Sequence, residues 1–329
     1  MFQNRRKALV DILRREYPEI KKGIILLFAD FENMRSIFRQ ESSFYSLTGI
    51  TEPAVVLAIY FDKNKIEEIL YLPNYGGVRE KWLSTFLTTD KKTADKIKVD
   101  TIKNLGEICG GYTFTPKFTK EKYSNLISDL NSKIDGETVI FTLLDENENQ
   151  YFYQSLIYQN LCQCISHLQN NTINLDSIVH GMRTIKSKYE VDCIYNAIQI
   201  TTLAQESACK IIKQGTTENE IKAIIEAVFT KMGAQIAFPS IVATGKNTTI
   251  LHYMGQNEEL KNGDLVLIDI GAEYKYYAAD LTRTYPVSGK FTQRQAEVYN
   301  IVLQTQSFIE QAAQPGIFLN NPDNPDRSL

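Results

Sequence analysis

GDLVLIDIGAEYKYYAADLTRTYP, residues Gly263 to Pro286, carries the strongest signal in the sequence. Its alternating and β-branched residues predict two strands, Leu265 to Glu273 and Tyr276 to Tyr285, joined by a very short turn. Asp269 interrupts the apolar run of the first strand, and Asp280 is the carboxylate of the second. With the turn centred on Tyr274 and Lys275, the two aspartates stand directly opposite each other. Opposed residues share a face, with Cβ atoms about 4.5–5.5 Å apart, and like charges there repel. A divalent cation between them resolves the conflict. Hard oxygen donors suit Mn, Mg, Fe or Zn, and one carboxylate can span two ions about 3.5–4 Å apart. A second reading stands beside it: one aspartate caps a turn or pairs with Arg283, and the other lies at a frayed strand end.

Composition narrows the alternatives. A chain of 329 residues has room for two cores, and 36 basic against 39 acidic residues, with no basic block, give no support to nucleic-acid binding. No apolar run approaches the ~20 residues of a membrane span. The first residues, MFQNRRKALVDILRREYPE, lack the apolar centre of a signal peptide. The five cysteines are odd in number and without disulfide-scaffold spacing, which suits a reducing cytoplasm.

Upstream of the hairpin the pattern changes once. Residues 5 to 17 form an amphipathic helix with Leu9, Ile12 and Leu13 on one face. Apolar runs of buried parallel-strand type follow at Gly23 to Ala29, Ala54 to Phe61, Glu67 to Pro73 and Thr138 to Leu144. Strands alternating with helices predict an α/β domain over residues 1–172, with loops at Asn147 to Gln150 and Gln169 to Asn174. From residue 173 to 329 the prediction is α+β. Capping boxes at Ser187/Glu190, Thr217/Glu220 and Thr292/Gln295 open three helices. The first carries Val191, Ile194, Ile198, Ala204, Ala208 and Ile211 at helical spacing, with Gly215 as its stop; the hairpin lies between the second and third. After Pro315 and Gly316 the sequence IFLNNPDNPDRSL is polar, with no periodic apolar face. A sheet bearing two unneutralised carboxylates is expected to continue, so half of it is expected to be missing here.

Together these blocks resemble the Xaa-Pro aminopeptidases, the aminopeptidase P branch of the pita-bread metallopeptidases. Phe238 to Gln306 resembles the first half of their catalytic domain, Met182 to Thr201 the helix that opens it, and Arg14 to Ser36 with Phe38 to Ile59 their N-terminal domain. The resemblance implies a creatinase-like α/β domain followed by half of a pita-bread domain, and removal of the N-terminal residue from peptides with proline second. It makes Asp269 a ligand of one metal, Asp280 a bridge between two, and His252 a pocket histidine near the scissile bond. The cofactor it implies is two Mn2+, with Co2+, Zn2+ or Fe2+ as alternatives; the partners it implies are peptide substrate and identical subunits in a homo-oligomer. The family's remaining ligands, a histidine and two glutamates, belong downstream, yet the only histidines are His167, His180 and His252. A truncated or frameshifted coding sequence, or a second polypeptide completing the site, is expected to account for that. An Xaa-Pro dipeptidase and a metal-free peptide-binding module are the competing readings.

Other residues carry weaker signals. Thr282 and Thr284 share strand parity with Asp280 and can support a ligand by hydrogen bonding, although threonine is also an ordinary strand residue. Arg283 faces the other way and is expected in a structural salt bridge. Trp82 stands where the family places an aromatic that roofs a neighbouring subunit's pocket; an ordinary packed indole is the alternative. Cys162, Cys164 and His167 have metal-like spacing but no fourth ligand nearby, which argues against zinc.

Overall fold

The computed structural model describes residues 1–33, 35–83, 87–144, 151–165, 167–255 and 257–318, so the expected loop at Asn147 to Gln150 and most of the polar tail from Ile317 lie outside them. The chain forms two compact units, Met1–Ile185 and Lys186–Leu329.

The first unit contains α1 (Phe2–Glu16), β1 (Lys22–Phe28), α2 (Ser42–Thr48), β2 (Val56–Asp62), β3 (Ile66–Leu72), α3 (Lys91–Ile97), β4 (Thr101–Asn104), α4 (Ser124–Lys133), β5 (Thr138–Thr142), α5 (Phe152–Cys164), β6 (Thr172–Asn174) and α6 (Asp176–Thr184). Its six-stranded sheet has the order β4-β3-β2-β1-β5-β6. Alternate residues of β1 serve different cores. Ile25 and Leu27 pack with Leu9, Val10 and Leu13 of α1, while Ile24, Leu26 and Phe28 pack with Leu126 of α4 and Leu161 of α5. Burial on both faces explains the unbroken apolar runs.

Strand direction departs from the expectation. The β1–β2 and β2–β3 pairs are antiparallel, and only β1–β5, β3–β4 and β5–β6 are parallel. An apolar run reports covered faces, not direction. The expected boundary at 172 also moves. Segment Gln169–Asn174 is no loop but a 3-10 turn followed by β6, which pairs with β5, and Leu175 and Val179 are buried in the first core.

The second unit holds α7 (Lys188–Cys209), α8 (Glu218–Lys231), β7 (Gln235–Ile236), β8 (Ile241–Thr244), β9 (Leu265–Ile270), β10 (Ala272–Tyr274), β11 (Tyr277–Ala278), β12 (Leu281–Pro286) and α9 (Gln293–Ala312). All three capping boxes form. Two three-stranded sheets, β12-β9-β8 and β11-β10-β7, share the hairpin. Val266, Ile268 and Ile270 of β9 face a core with Ala204 and Ala208 of α7 and Ile221, Ile225 and Phe229 of α8.

Helix α7 ends at Cys209, before the predicted stop at Gly215, and its buried stripe keeps the predicted Ala204 and Ala208 but departs from the prediction in its first half. Val191 and Ile198 are exposed, while Cys193, Ala197, Thr201, Ala204, Gln205 and Ala208 are buried. Helix α9 has no buried residue. Its Val298, Val302 and Leu303 line an open groove of about 700 Å³ together with Leu265 and Leu267 of β9.

Candidate metal centre

The hairpin turn sits one residue further on than predicted. Tyr274 pairs with Tyr277, so the turn residues are Lys275 and Tyr276, with φ of 50° and 73°. A two-residue hairpin turn needs positive φ at both positions to match strand twist. Moving a turn by one residue moves the register by two. Asp269 therefore stands opposite Thr282, not Asp280, and this corrects the expected facing pair.

The side-chain period of a strand is two, so this slip leaves every residue on its expected face. Continuing the register across the break between β9 and β10 puts Asp280 opposite Gly271. A Cβ at Gly271 would lie 2.0 Å from the Ala279 carbonyl oxygen, so only glycine allows this approach. It is also where one strand leaves the β8 side for β7: Asp269 pairs with Ile241, and Ala272 with Ile236. The Asp280 carboxyl interacts with that of Asp269, which shares its face of the hairpin. Partial loss of hydration, then the Asp269 charge and a hydrogen bond shared with Asp269, raise the Asp280 carboxyl above its ordinary range.

Thr282 donates its hydroxyl to Asp269 Oδ1 at 2.7 Å, as its parity allows. Thr284 stands opposite Leu267 and lines the groove beside α9, not the carboxylates. Arg283 makes no ion pair among the described residues; its guanidinium donates to the Thr282 carbonyl at 2.8 Å. The expected salt bridge does not form among the described residues.

His252 is exposed, in the segment after the 3-10 turn Gly245–Thr249. Trp82, in the first unit, is 67% exposed and stacks on Tyr112 with centroids 5.2 Å apart. It is no packed core indole. Cys162 and Cys164 are free and partly buried at the end of α5.

Two polar residues of α7 that the apolar periodicity passed over hold the hairpin from behind. The Gln205 carboxamide donates to the carbonyls of both Ile268 and Leu281 at 3.0 Å and accepts from the Tyr285 hydroxyl at 3.2 Å. Ile268 precedes Asp269 and Leu281 follows Asp280, so one buried amide spans both strands beside both carboxylates. One turn earlier, Thr201 accepts from the Ala272 amide at 2.9 Å. The available signal was their i, i+4 spacing in register with Ala197, Ala204 and Ala208.

The donors suit a hard divalent cation: two carboxylates on one face, one fixed by a hydroxyl. Among the described residues no group of three or more His, Cys, Asp or Glu side chains comes together. The two aspartates alone would supply only part of a coordination shell, which for such ions takes about six oxygen donors.

Residues 192–324 match metallopeptidase family M24, and residues 2–112 match the aminopeptidase P N-terminal domain. The chain is 31% identical to the Xaa-Pro aminopeptidase of Escherichia coli, over 96% of its own length and 68% of the relative's. With that of Haemophilus influenzae identity is 30%, over 89% and 63%. It is 26% identical to a human Xaa-Pro dipeptidase, covering 62% of it. Among solved structures, an alanine variant of E. coli aminopeptidase P in complex with substrate superimposes with a TM-score of 0.81 at 30% identity, covering 96% of this chain and 68% of that one. A zinc-substituted form with product gives 0.79 with the same coverage. Two further variants of that enzyme replace aspartates eleven residues apart, and another replaces a histidine seventeen residues before the first of these.

Proposed function

Because this chain belongs to the Xaa-Pro aminopeptidases of metallopeptidase family M24, we propose that it serves a metal-dependent aminopeptidase reaction, releasing the N-terminal residue from peptides with proline in second position. The observation that carries this reading is the same-face contact of Asp269 and Asp280. Their separation of eleven residues, and that of seventeen from His252 to Asp269, reproduce the spacing of the substituted aspartates and histidine in the E. coli enzyme.

Asp269 and Asp280 would hold divalent ions, two Mn2+ on our reading, with Co2+, Zn2+ or Fe2+ as substitutes. Such ions, when bound, acidify a water and polarise a substrate carbonyl. The chain's own residues do the rest. Thr282 occupies Asp269 Oδ1 and so orients that carboxylate. Gln205 fixes the backbone on either side of the pair. His252, exposed and beside the hairpin in sequence, would donate a hydrogen bond to the substrate or to the oxyanion that forms at its carbonyl. Trp82 offers an aromatic face for the proline ring of a substrate held by a neighbouring copy in a homo-oligomer.

The free cysteines favour a reducing, cytoplasmic setting, and no helix among the described residues is long and apolar enough to cross a membrane. The likeness to the human dipeptidase supports a second reading, an Xaa-Pro dipeptidase. Titration calorimetry with Mn2+ on the chain and its Asp269→Asn variant, followed by turnover of Xaa-Pro dipeptides against longer Xaa-Pro peptides, tests both. Binding heat lost in the variant, with cleavage of longer peptides, is expected. No heat with the unaltered chain would end the metallopeptidase reading, and cleavage of dipeptides alone would select the dipeptidase.

A further inference from the structure

Glu218, the first residue of α8, is a buried carboxylate with only 2% of its surface exposed and no ion-pair partner among the described residues. Both of its oxygens are fully used. Oε1 accepts from the Thr244 amide at 2.9 Å and from Asn247 Nδ2 at 3.3 Å. Oε2 accepts from the Tyr253 hydroxyl at 3.0 Å and from the Glu258 amide at 3.1 Å. A carboxylate has about four lone-pair sites, and all four are filled.

The partners are not scattered. Thr244 is the last residue of β8, and the Glu218 amide returns a bond to the Glu258 carbonyl at 3.1 Å. One side chain therefore closes the segment between 244 and 258 at both ends. It also anchors the middle, through Asn247 and through Tyr253, whose hydroxyl receives a second bond from Asn247 at 3.0 Å. Leu251 and Met254 on this segment are exposed, while Tyr253 is buried against Ile241 and Ala243. Between Ile250 and Gly255, Tyr253 is the one buried residue, and its neighbour is His252.

We infer that Glu218 is a positioning residue for His252: its carboxylate ties both ends and the centre of the segment carrying that imidazole to the start of α8. The inference rests on the role given to His252 above. Glutamine keeps the shape of Glu218 but offers acceptor lone pairs on one oxygen only, so at least one of the four bonds, from the Thr244 or the Glu258 amide, is lost in Glu218→Gln. The new amide N–H groups would also face a backbone amide, that of Thr244 or that of Glu258, donor against donor.

The experiment uses the full chain without metal, and reads the imidazole resonances of its three histidines by NMR together with tryptic cleavage after the exposed Lys246. His167 and His180 belong to the first unit and serve as internal controls. In Glu218→Gln the His252 resonance is expected to move alone towards the position of an unstructured peptide. Cleavage after Lys246 is expected to rise about tenfold, the factor carried by one lost hydrogen bond to a charged group. A residue that merely stabilised the fold would leave the His252 signature in place or shift all three histidines together. An unmoved His252 resonance, with Lys246 still protected, would overturn the inference. Should this variant fail to fold, Asn247→Ala, which removes one donor five residues from His252, carries the test: a His252 shift is expected, and its absence refutes the inference. Turnover by His252→Ala tests the other reading separately. Unimpaired cleavage there would remove His252 from the chemistry while leaving the anchoring by Glu218 intact.

Discussion

Asp280→Asn should change the sign of its effect with metal. The two carboxyls of the hairpin lie within hydrogen-bonding reach of each other, and Asp280 is solvent-exposed. Unit charges about 4 Å apart repel by about 1 kcal/mol in water and several times more in a drier site. Exposure places this pair near the lower figure. Asparagine removes one charge and can donate to Asp269. The metal-free variant should therefore be more stable by about 1 kcal/mol, a rise of roughly 2–4 °C in melting temperature for a unit of this size. With Mn2+ the order reverses. A ligand at a hundredfold excess over its dissociation constant stabilises by about 2.7 kcal/mol, and the variant forfeits that stabilisation. Thermal melts followed by circular dichroism, in EDTA and in Mn2+, should give crossing orders. A variant that is less stable in EDTA, or that keeps the whole Mn2+-induced shift, would refute the claim that these carboxylates repel each other and are reconciled by a cation.

Three further outcomes follow from the same geometry. Gln205→Leu leaves the Ile268 and Leu281 carbonyls without their buried donor, which should cost about 1–3 kcal/mol, read as a lower urea midpoint. Replacing Lys275 and Tyr276 by Asn and Gly puts residues that tolerate positive φ into the turn and should stabilise the metal-free hairpin by roughly 1–2 kcal/mol, again by urea; no gain would show that the left-handed turn carries no strain. The Asp280 carboxyl titrates above its unfolded value of 3.8, so between those two values the native chain binds the extra proton. Metal-free stability should fall as pH rises through that window, and Asp280→Asn should lack this slope in pH-dependent melts.

What could be read from the sequence was local. The capping boxes at Ser187, Thr217 and Thr292 each need only three consecutive intervals of chain, and all three formed. The apolar runs of the first unit marked strands because burial on two faces leaves no room for polar residues. Their directions were not legible, since Ile25 packs equally well whether its neighbouring strand runs with it or against it. Thr201 and Gln205 were missed on α7 for a related reason. Periodicity counts apolar residues, whereas a buried polar residue is justified only by the backbone groups it meets, here on strands more than sixty residues away. Glu218 is the same case, hidden as an ordinary first-turn acid of a capped helix.

The hairpin shows how two residues can keep their expected face under a wrong register. Opposition of Asp269 and Asp280 required the turn at one particular pair of residues, and the turn lies one residue away. Any whole-residue shift of a two-residue turn changes the register by an even number, so face is conserved while partner is not. What holds the two strands close beside the carboxyls is then Gly271, whose missing side chain admits the Ala279 carbonyl, and Gln205, which bonds to both strands. A side chain at position 271 would push against the Ala279 carbonyl and part the strands beside Asp280 even with both aspartates unchanged. The candidate metal centre therefore depends as much on a glycine and on a buried amide whose donors and acceptor are already taken up by the hairpin as on the two acids.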